Sequence, residues 1–591
     1  MASSRASRRQ PPGGRRGARP LRRALPPGAG DPRRAPADGA DQRADRGQAA
    51  HRNAPGRPGS PTMTQRAAVI GAGIAGLATA ALLARDGYEV TVFEARDRVG
   101  GRASAFEAGG FRFDEGPSWY LMPEVFDHFY RLLGTSAAEQ LDLVRLDPAY
   151  DILYEPRNGE PAERIRVGAT RTENVALFES IEAGAGARLE RYLDSAAEVY
   201  ELAKRRFLYS TFADLRPVFF AREVARRLAR LVPLLLRPLD RFVSRRFRDP
   251  RLRQLLGYPA VFLGSSPFDT PSMYHLMSHL DLEDGVLYPR GGIVRVIETI
   301  AALAEAEGAT VRVSTPVTRI ATKPIGGGRP SVTGVHYRDG SGQEQFFPAG
   351  TVVAACDLHF AETRLLPAGL QTYPEGWWAK RTPGPGALLL HLGVRGALPQ
   401  LGHHTLLFTE DWRVGFDAIF GENASIPNPA SLYVCKPSAT DAGSAPAGHE
   451  NVFVLVPVPA DPSIGHGGDA AVERLGDAVL EQLASWAGIP DLAERVVFRR
   501  TVAPGDLADD LGAWRGTALG PAHTLRQSAF FRAGNVSRRV SGLLYAGGST
   551  IPGIGLPMCL ISAELALKRL HGDTSPGPLP VPLVAPQARR R

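Results

Sequence analysis

Residues 67–102 read AAVIGAGIAGLATAALLARDGYEVTVFEARDRVGGR. Gly71, Gly73 and Gly76 follow an apolar run at 67–70, open an alanine-rich helical run, and precede a second apolar run at 89–93. A GxGxxG alone is a weak signal. Set between a strand and a helix, with a second strand close behind, it marks a dinucleotide-binding βαβ unit. The residue types follow from the chemistry: Gly71 allows the tight strand-to-helix turn, Gly73 admits a pyrophosphate against the backbone, and Gly76 lets the helix pack on the strand. Free N–H groups at the helix N-terminus then hold the phosphate. Glu94 ends the second strand 18 residues after Gly76 and is placed to accept hydrogen bonds from ribose hydroxyls. A carboxylate there repels a 2′-phosphate and disfavours NADP, while NAD and FAD both satisfy the pattern.

Gly100, Gly101 and Arg102 separate those two. They resemble the GGR motif that follows the acidic residue in glutathione-reductase-like and amine-oxidase-like flavoproteins. The resemblance implies FAD, with Gly101 and Arg102 at its pyrophosphate.

The formal charge of +9 invites a nucleic-acid reading that its distribution removes. Residues 1–62 hold 14 Arg, no Lys and 4 Asp, so the remaining chain carries 56 basic and 57 acidic residues. The basicity belongs to an Arg/Pro/Gly-rich extension too poor in large apolar residues to offset its ordering entropy. That extension is expected to be disordered, with the functional chain beginning at Met63. Three cysteines without a pairing pattern, Cys356, Cys435 and Cys559, exclude a disulfide framework and suggest a reducing compartment. His403 and His404 are the only adjacent histidines; in a strand they would point to opposite faces, so no metal site is expected.

Beyond the fingerprint, residues 109–122, GGFRFDEGPSWYLM, form a loop with aromatic residues around Asp114, Glu115, Gly116, Pro117 and Ser118. Residues 121–285 are mostly helical in pattern. No run reaches the roughly 20 apolar residues of a membrane span. Within residues 215–247, Phe219, Phe220, Val224, Leu228, Leu231, Leu235, Leu236 and Leu239 alternate with nine arginines, which fits a helix lying on anionic lipid. Residues 286–320 return to a helix-then-strand pattern, with Ile293, Ile297, Ile300 and Ala304 at helical spacing and a strand from Val311. Residues 352–355 read as a buried strand, and 366–540 as alternating β-rich and helical pieces. Residues 543–570 run from a short strand through a Gly/Pro turn into a long apolar helix. Residues 573–591 are Pro-rich and expected to be loose.

The chain from Thr64 to about Gly572 resembles the bacterial phytoene desaturase family, through GFRFDEGPSWY, GVLYPRGG, LGHHTLLF, SLYVCKPSATD, LGAWRGTALGPAHTLRQSAFFR and GGSTIPGIGLPM. The resemblance implies an α/β fold: a Rossmann-like FAD domain made of 63–120, 286–365 and 541–572, a helical membrane-associating region at 121–285, and an inserted α+β substrate domain at 366–540. It places Val317 at the adenine and Pro117, Ser118, Gly548, Ser549, Gly555, Leu556 and Pro557 at the flavin. The helix near Leu556 would aim its positive end at the pyrimidine edge. Many members carry Gly and His where Ser549 and Ile551 stand, so no acid or base duty transfers to those positions.

The reaction so implied is desaturation of a C40 polyene, towards neurosporene or lycopene: hydride leaves for the flavin, a proton leaves the neighbouring carbon, and a trans double bond forms. Oxygen or a membrane quinone would reoxidise the cofactor. A cytoplasmic enzyme on the inner face of the cell membrane, able to form oligomers, is expected. The catalytic residue is unassigned; Asp114 and Glu115 are the candidates, since a buried carboxylate near a cofactor acquires a base-like pKa. Alternatives are a ketolase, a C30 or hydroxycarotenoid desaturase, or an amine oxidase. A lipid chaperone resembling the GDP-dissociation inhibitors is the alternative of another class, and retention of Glu94 and Arg102 speaks against it.

Overall fold

The strand Arg66–Ile70 is the centre of a parallel sheet whose order is Leu543–Tyr545, Thr351–Ala354, Arg66–Ile70, Glu89–Phe93, Thr310–Arg312. The computed structural model describes residues 65–216, 229 and 231–584. Val69 pairs with Val92 on one side and Val353 on the other. These strands are covered on both faces, which is why they read as continuous apolar runs rather than alternating ones. The helix Ile74–Arg85 packs on the sheet with the helices Val294–Ala306 and Leu556–His571, and its buried alanines permit the close approach. The five strands come from three separated stretches of chain, 66–93, 310–354 and 543–545.

The second layer is a seven-stranded sheet in the order Val496–Val502, Gly386–Arg395, His449–Val458, Leu432–Cys435, His404–Phe408, Tyr150–Tyr154, Arg164–Val167. Its last two strands come from the region expected to be helical, and Tyr150–Tyr154 runs parallel to His404–Phe408. The signals lay in the sequence: YDILY is buried along its whole length, and Arg164–Val167 alternates exposed and buried. The 121–285 region is therefore helical only in its larger part, and it contributes two strands to a sheet whose other five come from residues 386–502.

The C-terminal segment also differs from expectation. Lys568 Nζ donates to Ser575 O and Gly577 O, each at 2.7 Å, and Leu583 N–H donates to Leu132 O at 2.9 Å. Leu579 and Leu583 are buried, so the two apolar residues anchor a proline-rich stretch through residue 584. No helix among the described residues is long and apolar enough to cross a membrane. Phe219, Phe220, Val224 and Leu228 of the expected lipid-facing stripe lie outside the described residues, as do residues 1–64. Of the remainder, Leu236 is 67% exposed and Leu239 is buried.

Candidate active site

The three fingerprint glycines are glycine for different reasons. A Cβ at Gly76 would lie 1.9 Å from Gly71 O, so the turn and helix cannot close around any side chain there. A Cβ at Gly73 would meet only Gly100 O, at 3.9 Å. The protein leaves that space open towards a cavity lined by Gly71, Gly73, Glu94, Gly101 and Arg102, and Gly76 is not part of the lining. Gly71 has φ +98°, which makes the turn itself.

Glu94 reaches the same wall. Its carboxylate accepts from Ala72 N–H at 2.6 Å and Arg96 N–H at 2.9 Å, which fixes its orientation and leaves lone pairs for hydroxyl donors. Arg96 donates to Gly101 O at 3.1 Å and so holds the GGR turn. Arg102 Nη2 stands 3.8 Å from Asp357 Oδ2, while its Nε is buried with no protein acceptor. An unmet guanidinium N–H at a cavity wall is suited to a phosphate oxygen.

The opposite wall comes from the far end of the chain: Gly548, Ser549, Gly555, Leu556 and Pro557 line the same cavity, as do Pro117, Ser118 and Val317. Gly555 (φ +116°) leads into the helix Leu556–His571, and Pro557 occupies its first turn, where no N–H is lost. Ser118 Oγ and Tyr433 OH are 2.6 Å apart, and Tyr433 OH is 2.7 Å from His404 Nδ1.

Asp114 and Glu115 are both committed to neighbours. Asp114 accepts from Ile293 N–H at 2.8 Å and Val294 N–H at 3.1 Å, at the start of the helix Val294–Ala306, and it does not line the cavity. Burial lifts its pKa to about 6 against the pull of those two N–H groups. Glu115 lines the cavity but is held by Arg96, Arg98, Arg500 and Ser104. Burial would raise its pKa, but the hydrogen bonds from Ser104 and Arg96 and the charges of Arg96 and Arg98 win and leave it at about 2. A carboxylate with that pKa is a poor proton acceptor at neutral pH.

The cavity measures about 1030 Å³. Part of its wall, the arm, is a cluster of contacting rings, Trp119, Tyr258, Phe262, Phe408 and Trp412, and Leu406 and Leu432 also line the cavity.

A flavin containing amine oxidoreductase family model matches residues 74–570, and a pyridine nucleotide-disulphide oxidoreductase model matches residues 25–109. The chain is 39% identical over 510 residues to a carotenoid 3,4-desaturase of Haloarcula japonica, covering 85% of this chain and 98% of that one. It is 33% identical over 517 residues to a zeta-carotene-forming phytoene desaturase of Myxococcus xanthus, covering 86% and 94%. The fold is also that of putrescine oxidase solved with putrescine bound, at TM-score 0.54 and 18% identity, covering 87% of this chain and 99% of that one. The chain belongs to the carotenoid desaturase family of FAD-dependent oxidoreductases.

The residues of this flavoenzyme fit FAD. The open space at Gly73, the unmet Nε of Arg102 and the oriented carboxylate of Glu94 together offer what a pyrophosphate and a ribose require. Asp357, which caps the helix Leu358–Arg364 and faces Arg102, joins the wall without having been singled out in the sequence. An Asp directly between a buried strand and a helix was the available signal.

One expectation is corrected. His403 precedes the strand rather than lying in it, so the two histidine rings converge at 4.5 Å instead of diverging. With Cys435 they place three ligand-type atoms within 4.8 Å of one another. Each Nδ1 is already engaged, by Thr440 Oγ1 at 2.7 Å for His403 and by Tyr433 for His404. Burial lowers the pKa of both imidazoles, to about 3 for His403, and both stay neutral.

Proposed function

We propose that this flavoenzyme desaturates a long hydrocarbon polyene, with 15-cis-phytoene as its substrate, towards neurosporene or lycopene. The observation that carries this reading is that one cavity wall includes both Gly73, Glu94 and Arg102 and a cluster of contacting aromatic rings, Trp119, Tyr258, Phe262, Phe408 and Trp412. A polyene offers no hydrogen bond, so apolar burial is the only source of its affinity, and a charge in the arm would be costly to desolvate. The named relatives act on carotenoids, which supports the same class.

Bound FAD supplies the two-electron acceptor. The chain orients it through Glu94 and Arg102 and excludes water from the arm. A base remains unassigned; Ser118 and Tyr433 are the hydroxyls on the wall that share a hydrogen bond and lead to a neutral imidazole at His404. The polyene reaches the site from a bilayer, with the basic 215–247 segment on anionic lipid at the inner face of the cell membrane. Oxygen or a quinone takes the electrons afterwards.

A second reading is desaturation of an oxygen-bearing carotenoid, at the position named for the Haloarcula relative. Trp412 favours it, because its indole N–H is buried in the arm without an acceptor and a substrate hydroxyl would satisfy it. Expression of residues 63–591 in cells making phytoene, lycopene or a hydroxylated carotenoid, with pigments resolved by chromatography, separates these readings. Conversion of phytoene supports the first, conversion of the hydroxylated substrate alone supports the second, and three unchanged pools overturn both.

A further inference from the structure

Arg532 is a buried cation enclosed by carbonyls. Its residue is 6% exposed. Nε donates to Thr550 O at 3.2 Å, Nη2 to Gly548 O at 2.6 Å and Pro521 O at 3.2 Å, and Nη1 to Gln527 O at 3.3 Å. The nearby Tyr274 and Cys559 are kept protonated by burial and so carry no negative charge, and among the described residues no carboxylate pairs with Arg532. Burial lowers its pKa to about 10, so it remains a cation at neutral pH. The adjacent His523, 3.5 Å from Nη1, is kept neutral by burial and by Arg532 itself.

A lone buried charge is costly, and four neutral carbonyls orient it without cancelling it. Its position supplies the missing partner. Gly548 lines the cavity, and Thr550 belongs to the same turn, so the guanidinium stands directly behind the part of the cavity wall that we assign to the flavin ring. Cys559, in the first helical turn after that wall, feels both Arg102 and Arg532. The positive end of the helix Leu556–His571 and the Arg532 cation therefore stand at the same stretch of cavity wall and would act together on a group bound there.

We propose that Arg532 is the counter-charge of the reduced flavin and raises the cofactor's two-electron midpoint potential. The isoalloxazine is neutral when oxidised. Uptake of one hydride brings two electrons and one proton and leaves one negative charge on the ring, so a fixed cation nearby favours the reduced form. Arg532 does not touch the substrate and is a positioning residue. The inference rests on FAD occupying the site; parent protein that is colourless and cannot be loaded with FAD overturns that occupancy and not the role of Arg532 alone.

The test is an anaerobic redox titration of the FAD-loaded chain and of its Arg532→Met and Arg532→Lys variants. Arg532→Met, which removes the charge, is expected to shift the equilibrium at least tenfold towards oxidised flavin, a fall of about 30 mV for a two-electron couple. Arg532→Lys keeps the charge and is expected to retain most of the potential, although it loses the four-carbonyl fit. A purely structural role would weaken flavin retention in both variants and leave the potential of bound flavin unchanged, which overturns the proposal. An equal shift in both variants also overturns it. If neither variant holds flavin, the parent decides: an anionic reduced flavin requires its potential to fall by about 30 mV per pH unit between about pH 6 and about pH 9. Twice that slope means a neutral reduced ring and overturns the proposal.

Discussion

Arg500 Nη1 lies 3.1 Å from Glu115 Oε1 and joins the edge strand Val496–Val502 of the seven-stranded sheet to the loop that enters the cavity wall. Arg96 and Arg98 reach the same carboxylate from the fingerprint side, at 2.8 Å and 2.9 Å. Glu115 thus fastens the two layers at the point where they share a cavity.

Glu115→Gln is expected to lower the melting temperature and to flatten its acid dependence. The folded-state pKa of about 2 lies below the ordinary value of 4.5, so the carboxylate's contribution is fully present above about pH 4.5 and is lost as pH falls towards 2. The size is on the order of 3 kcal/mol. Melting curves of parent and variant across that range check it; parallel acid profiles would show that the ion cluster contributes nothing.

Asp114→Asn is expected to damage the fold more than the chemistry, because an amide presents an N–H to one of the two backbone donors at Ile293 and Val294. Turnover should stay within about threefold of parent while the melting temperature drops. A loss of about 100-fold or more in turnover with parent-like melting would instead assign Asp114 the work of a general base.

Gly73→Ala and Gly76→Ala should separate binding from folding. The Gly76 methyl has backbone oxygen 1.9 Å away and should prevent a stable fold, whereas the Gly73 methyl has open space. Gly73→Ala should therefore fold and emerge without its yellow colour. Circular dichroism and flavin absorbance on the two variants decide it, and a flavin-replete Gly73→Ala protein would contradict the phosphate assignment.

Phe262→Asp places an unpaired carboxylate in the apolar arm. Flavin content should be unchanged and polyene turnover should fall by about 100-fold or more, since the ion must be desolvated by a substrate that cannot pair with it. Unimpaired turnover would move the substrate path elsewhere.

Much of the cofactor half was legible in the residues. Gly71, Gly73, Glu94 and Arg102 sit where strand–turn–helix chemistry requires, and the turn at 547–555 lines the same cavity from more than 440 residues away because its own strand joins the same sheet. The strands Tyr150–Tyr154 and Arg164–Val167 escaped notice because they lie among helices and are recruited by His404–Phe408 from far along the chain. Arg532 escaped for a related reason: its partners are backbone carbonyls, and a carbonyl leaves no mark in a sequence. The convergence of His403 and His404 turned on where one strand begins, a boundary that periodicity places only to within a few residues.

The most direct measurement is anaerobic mixing of the FAD-loaded protein with phytoene in vesicles, following flavin absorbance and polyene conjugation in the same sample. The account predicts that the flavin band bleaches as conjugation lengthens, one new double bond for each flavin reduced. Lengthened conjugation in FAD-free protein, or an oxidised flavin beside unchanged phytoene, lycopene and hydroxylated carotenoid, would contradict it.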